Sequence, residues 1–357
     1  MPPIPSLIHL LTYCRPHRSA TEEHFVGRYL QTLPGAWSDP HGNVHVTVGT
    51  PDILWSCHTD TVHRTDGRQQ VSQIYDRIVL TPGSTSACLG GDDTVGVYLC
   101  LSMIAAGRSG HYIFHRGEEC GGVGSRALAA STPHLLAGSR YAIALDRAGT
   151  GDIVTSQCGR RCCSDVFAES LAQALAPTFR HTDRYHPAAG TYTDTHEYRH
   201  LIPECTNLSV GYTRAHSPTE VVDTRHVARL LHALCVLDPA HLQCVRSTSE
   251  PDKSLNTFPT RRWFQKWGFR SHLESDLGDP GDRRSLLYSR ERGERHSRDD
   301  FFGDRRESLN TGTRESAPKS TRRRRREQRL ARLSRTQWDA IRDYVITSPV
   351  EEHHHDD

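Results

Sequence analysis

The run Ile53-Leu54-Trp55-Ser56-Cys57 has strand composition and breaks off abruptly into His58-Thr59-Asp60. The pattern returns along the chain. Residues 111–114 run into Glu118 and Glu119, and the wholly apolar stretch 141–145 runs into Asp146. A strand that is apolar throughout is buried on both faces, as in sheets covered by helices on each side. A polar residue directly after such a strand lies where open α/β sheets place their ligands. The chain is therefore expected to be an α/β protein with its chemistry along one sheet edge.

The intervening segments fit that architecture. Ser19-Ala20-Thr21-Glu22 is a capping-box pattern ahead of Phe25, Val26, Tyr29, Leu30 and Leu33, which recur at helical spacing. Residues 44–48 alternate as a strand, and 71–74 with 78–81 suggest a short hairpin. Leu89-Gly90-Gly91-Asp92-Asp93 leads into an apolar helix expected over 95–106. Residues 152–155 read as a strand, 163–175 as a helix capped by Ser164, and 207–211 as a run leading to His216. Residues 224–237 read as a final helix.

Hydrophobic residues make up 36% of the chain, but they are unevenly spread. Residues 1–250 hold nearly all the apolar runs, with 20 arginines, no lysine and 23 acidic side chains. Residues 251–357 hold 24 basic and 19 acidic side chains. This implies a globular body at 1–245, a charged linker at 246–320 expected to be disordered, and a basic tail at 321–357. Arg322 to Arg326 precede Leu330, Leu333, Ile341 and Val345, spacing that suits an amphipathic helix; the arginines could meet nucleic-acid phosphates or another acidic surface. No run of about 18 apolar residues occurs, so no membrane span is expected. The start of the chain lacks a signal-peptide pattern, so a cytoplasmic location and free buried thiols are expected for the eleven cysteines.

Taken singly, each polar strand end has two readings. His58-Thr59-Asp60 suits a metal ligand whose carboxylate neighbour fixes the imidazole tautomer, but taken alone it more readily suits a solvated loop. Asp92 and Asp93 could bridge metal ions or simply favour a helix start. Glu118 and Glu119 could divide into a metal ligand and a general base, or form an acidic turn. Together the set is harder to explain as loops. Two divalent ions about 3.5 Å apart need a bridging carboxylate and roughly two further ligands each, and His58, Asp92, Glu119, Asp146 and His216 supply that inventory.

Five short motifs carry a family resemblance: Ser56-Cys57-His58-Thr59-Asp60, Gly90-Gly91-Asp92-Asp93-Thr94-Val95-Gly96, Gly117-Glu118-Glu119-Cys120-Gly121, Leu145-Asp146 and Ala215-His216-Ser217-Pro218-Thr219-Glu220. In this order the chain resembles the co-catalytic zinc exopeptidases that include peptidase T and the glutamyl and leucyl aminopeptidases, over about residues 5–240. The resemblance implies a three-layer α/β/α sandwich around a mixed, mostly parallel sheet. It implies two divalent ions, zinc first, with cobalt or manganese as alternatives. His58 and Asp146 would hold one ion, Glu119 and His216 the other, and Asp92 both. The Asp92–Asp93 peptide bond would be cis, Asp60 would orient His58, and Glu118 would be the general base.

Only 70 positions separate Asp146 and His216, too few for the separate lid domain that many relatives insert there. Within them Tyr192-Thr193-Asp194-Thr195-His196 resembles a segment lining the substrate pocket, where Asp194 would receive a substrate amino group and His196 would assist the oxyanion. Arg147 suits either a substrate carboxylate or a structural ion pair. The expected substrate is a peptide or an acylated amino acid. The expected activity is that of an aminopeptidase-type exopeptidase. The alternatives are a deacylase with the same metal chemistry, or a non-catalytic binding module with a tail that contacts nucleic acid.

Overall fold

A computed structural model describes residues 4–248 of the chain. The linker beyond 248 and the Arg322–Arg326 tail fall outside the described residues. Nine strands form the main sheet: β1 (Trp37–Ser38), β2 (Val44–Val48), β3 (Ile53–His58), β4 (Gly110–His115), β5 (Tyr141–Arg147), β6 (Asp152–Gln157), β7 (Arg160–Arg161), β8 (His186–Gly190) and β9 (Glu204–Ser209). Their spatial order is β7-β6-β9-β5-β3-β4-β2-β1, with β8 also paired to β6. The middle of this sheet, β9-β5-β3-β4, is parallel throughout. Antiparallel pairs continue it on both sides.

Among the described residues six α-helices accompany the strands: α1 (Leu7–Leu10), α2 (Ala20–Phe25), α3 (Gly91–Ala105), α4 (Val123–Ser131), α5 (Asp165–Leu175) and α6 (Thr224–Val236). The period-2 alternation of the central strands sorts the core into two layers. Ile53, Trp55 and Cys57 of β3, Tyr112 and Phe114 of β4, and Tyr141, Ile143 and Leu145 of β5 face one side, packed with residues of α3, α5 and α6. Leu54, Ile113 and Ala142 face the other side, against Leu128 and Ala129 of α4 and Tyr198 and Ile202. Trp55 is fully buried; truncating it to alanine would cost about 3–5 kcal/mol.

The helix expected at 95–106 begins earlier, at Gly91, and Asp92 and Asp93 interrupt it with non-helical angles. The peptide bond between them is cis. At its other end Gly107 takes φ 70°. The N–H of Arg108 then returns to the Met103 carbonyl at 2.9 Å, which closes the helix. The Ser19 cap is also as expected: its Oγ accepts the Glu22 N–H, while the Glu22 carboxylate accepts the Arg18 N–H at 2.6 Å. The run at 207–211 overlaps the end of a strand that spans Glu204–Ser209. Residues 147–215 form β6 to β9 and α5 within the sandwich, with no separate lid. Among the described residues no helix is long and apolar enough to cross a membrane.

Candidate active site

The carboxyl ends of the four central parallel strands converge. β3 ends on His58, β4 leads to Glu118 and Glu119, β5 carries Asp146 near its end, and the segment after β9 carries His216. Asp92 enters from the start of α3. Its two oxygens reach both histidines: Oδ1 lies 3.1 Å from His58 Nε2, and Oδ2 lies 3.1 Å from His216 Nε2. Asp146 Oδ1 is 3.5 Å from His58 Nε2, and Glu119 Oε1 is 2.8 Å from His216 Nε2. The ligand atoms of His58, Asp92 and Asp146 lie within 4.8 Å of one another, as do those of Asp92, Glu119 and His216.

The hydrogen bonding of His58 shows what this pocket suits. Its Nδ1 faces the Asp60 carbonyl at 2.9 Å, an atom that only accepts, so Nδ1 carries a proton. The Nε2 lone pair of a neutral ring then faces two carboxylate oxygens. Acceptors gathered around an acceptor need a cation among them, either a proton or a metal ion. Burial alone would lower His58, but Asp146, Asp60 and Asp92 outweigh it and raise it well above its ordinary value. His216 follows the same logic: burial lowers it, Asp92 and Glu119 raise it, and it reaches about 11. Burial, then Asp92, pushes Glu119 up to about 7. Two imidazoles and three carboxylates in overlapping groups fit a pair of divalent ions.

Asp60 holds this edge together in more ways than the sequence suggested. Its carbonyl, not its carboxylate, meets His58 most closely; the nearer carboxylate oxygen is 3.6 Å from Nδ1. The carboxylate instead accepts three backbone N–H groups, from Gly117 at 2.9 Å, Glu118 at 3.1 Å and Glu119 at 3.2 Å. It thereby sets the turn that presents both glutamates. Glu118 places a carboxylate oxygen within 4.8 Å of the ligand atoms of His58 and Glu119. Burial, only partly offset by His58, raises it well above the ordinary glutamate range.

Several supporting residues have roles that the sequence did not disclose, although Glu220 closes the His216 motif and Thr193 lies in the 192–196 segment. Glu220 is buried and accepts the N–H groups of Leu89 at 3.0 Å, Gly90 at 2.8 Å and Asp92 at 3.1 Å. Thr193 donates to Asp146 Oδ2 at 2.6 Å and the Tyr212 hydroxyl to Oδ1 at 3.2 Å. The β5–β9 register slips between Asn207 and Ser209. The Asn207 side chain fills that gap by bonding both the N–H and the carbonyl of Asp146. Polar residues inside strands are the one hint, and it does not name a partner.

The pocket residues divide. Asp194 is buried, and its Oδ1 has no hydrogen-bond partner. Burial pushes its carboxyl up to about 8. His196 lies beside Tyr192, ring centroids 5.7 Å apart, with Nδ1 3.9 Å from Cys162 Sγ. Arg147 is paired with Asp152, Nη2 to Oδ2 at 3.1 Å, the structural alternative of its two readings.

No protein-family model matches the chain, and no curated protein does. Solved structures do. Aminopeptidase PepT from Bacillus cereus superposes with a TM-score of 0.52 at 14% identity, over 65% of this chain and 95% of that one. The fold is shared with peptidases. Aminopeptidase APDkam598 from the archaeon Desulfurococcus kamchatkensis gives a TM-score of 0.50 at 16% identity, over 68% of this chain and 98% of that one. At such identities the likeness establishes the α/β architecture with its mixed central sheet.

Proposed function

We propose that the chain is a two-metal hydrolase of the aminopeptidase type, cleaving the amide bond next to a free amino terminus. The observation that carries this reading is the placement of Asp92, one oxygen on each histidine, with Asp146 and Glu119 completing two overlapping groups. His58 and Asp146 would hold one divalent ion and Glu119 and His216 the other, with Asp92 contributing to both groups; zinc would suit this mixed imidazole and carboxylate set. When bound, such ions polarise a scissile carbonyl and make water a better nucleophile at neutral pH.

The side chains of the protein do the rest. Glu118 takes a proton from the attacking water on its carboxylate and returns it to the departing amine. Asp60 fixes the turn bearing Glu118 and Glu119. Thr193 and Tyr212 restrain the Asp146 carboxylate so that it points at His58. The unpartnered Asp194 Oδ1 receives the substrate's ammonium group, which distinguishes a peptide with a free terminus from an acylated amino acid.

The test is Glu118→Gln, with wild type and variant assayed on aminoacyl-anilides and on N-acetylated amino acids. The expected outcome is turnover of anilides by the wild type and a loss of about 10²–10⁴-fold in the variant, with metal content unchanged. Turnover confined to the acetylated compounds would transfer the reading to a deacylase. Equal turnover by both proteins would remove Glu118 as the base.

A further inference from the structure

Arg15 is a fully buried arginine, and the proposed chemistry gives it no task. Its Nε donates to the Thr59 carbonyl at 2.7 Å, and its Nη2 donates to Thr94 Oγ1 at 2.9 Å. Thr59 sits between His58 and Asp60. Thr94 follows Asp92 and Asp93, and its hydroxyl donates in turn to the Gly90 carbonyl. One guanidinium edge therefore spans the two segments that present His58 and Asp92. The backbone of Arg15 strengthens the link: its N–H donates to Thr61 Oγ1 at 3.0 Å and its carbonyl accepts the Thr61 N–H at 2.8 Å.

The chemistry of the side chain suits the task. A guanidinium offers donors at fixed angles in one plane, whereas an ammonium is a single point. The plane is held by the Phe25 ring, whose centroid lies 4.1 Å from the guanidinium carbon. The donors go to uncharged oxygens, and Nη1 has no partner. The charge is offset by Glu22, Asp93 and Asp60, which face it without bonding to it. Glu220 grips Leu89, Gly90 and Asp92 on the same turn, so the turn is tied both to Arg15 through Thr94 and to Glu220.

Building on the two-metal reading, we infer that Arg15 is a positioning residue for the cluster: by locking Thr59 to Thr94 it sets the spacing between His58 and Asp92. It touches neither the ligand atoms nor the substrate, and acts through the two segments it joins.

The experiment compares wild type, Arg15→Lys and Arg15→Met, each loaded with cobalt. It reads the visible cobalt spectrum, cobalt affinity by chelator competition, and kcat and KM on an aminoacyl-anilide, with folding checked by circular dichroism and urea midpoint. Arg15→Lys keeps the charge and loses the fork; Arg15→Met loses both. The expected result in folded variants is a shifted cobalt spectrum, weaker cobalt binding and a kcat lower by roughly 10–100-fold, the range for groups that orient metal ligands. KM should stay within about twofold, since ground-state binding is untouched, and Arg15→Met should be the more severe. If Arg15→Met does not fold, Arg15→Lys decides. A purely structural role would leave spectrum and kcat per folded, loaded molecule at wild-type values, which overturns the inference. A wild type that binds cobalt but cleaves nothing sinks the hydrolase reading alone, because spectrum and affinity still judge Arg15. A wild type that binds no cobalt sinks both.

Discussion

The Glu220 carboxylate accepts the backbone N–H of Asp92 at 3.1 Å across 128 positions of sequence. Through its second oxygen it also holds Leu89 and Gly90, so one buried side chain fixes the turn that delivers the doubly placed carboxylate of the site. Burial, then Asp92, pushes Glu220 up to about 8.

Removing this anchor leaves three buried N–H groups without an acceptor. Glu220→Ala is expected to cost at least about 1–3 kcal/mol, the penalty for one such orphaned group, and to lower metal affinity, whereas Glu220→Gln keeps an acceptor and loses less. Urea midpoints and chelator competition on both variants check this. Equal, wild-type behaviour of both would show that the turn holds its shape unaided.

Gly96 is fixed by contact rather than by backbone angle. A Cβ there would lie 2.3 Å from the Leu145 carbonyl and 2.4 Å from Asp93 Oδ2. Gly96→Ala should therefore push α3 away from β5, just beside Asp146, and destabilise the protein by about 1–3 kcal/mol. Thermal or urea unfolding measures the loss; an unchanged midpoint would contradict the close packing of this helix.

Acid should destabilise the fold through buried histidines. His63 and His226 are both held down to about 4 by burial, against 6.5 for the free side chain. His63 lies between Thr61 and Gln69, and His226 against the Tyr185 hydroxyl. Unfolded chains take up protons on these rings below pH 6.5 while the folded protein does not. The stability they contribute is whole above that value and drains away down to about pH 4, by at most about 3 kcal/mol each. Urea midpoints at pH 7.5, 5.5 and 4.5 should fall more steeply for wild type than for His63→Gln or His226→Gln. Parallel slopes would count against the assignment.

The sheet edge was readable because apolar runs with a polar residue at their end carry a local signature: the ends of β3 and β5 and the Glu118-Glu119 turn lie where composition placed them. The strand at Glu204–Ser209 was not read as one, since Glu204, Thr206, Asn207 and Ser209 are polar yet buried. Their burial is satisfied by distant partners, such as Asn207 on the Asp146 backbone, and no local pattern reports it. Glu220 was legible only as the end of the His216 motif, with no role attached, and Arg15 was not singled out at all. Each acts mainly on backbone groups far away in sequence, Glu220 on N–H donors and Arg15 on the Thr59 carbonyl, and a backbone group has no residue type to recognise. Asp60 was legible as a neighbour of His58, but its hold on Gly117, Glu118 and Glu119 spans about sixty residues.

The most direct test of the two-metal account is elemental analysis of the tag-free protein after reconstitution with zinc, beside turnover of aminoacyl-anilides with and without chelator. The account predicts two zinc ions per chain, hydrolysis abolished by chelation and restored by added metal, and one ion or none in Asp92→Ala. A chain that stays metal-free, or whose turnover ignores the chelator, would contradict it.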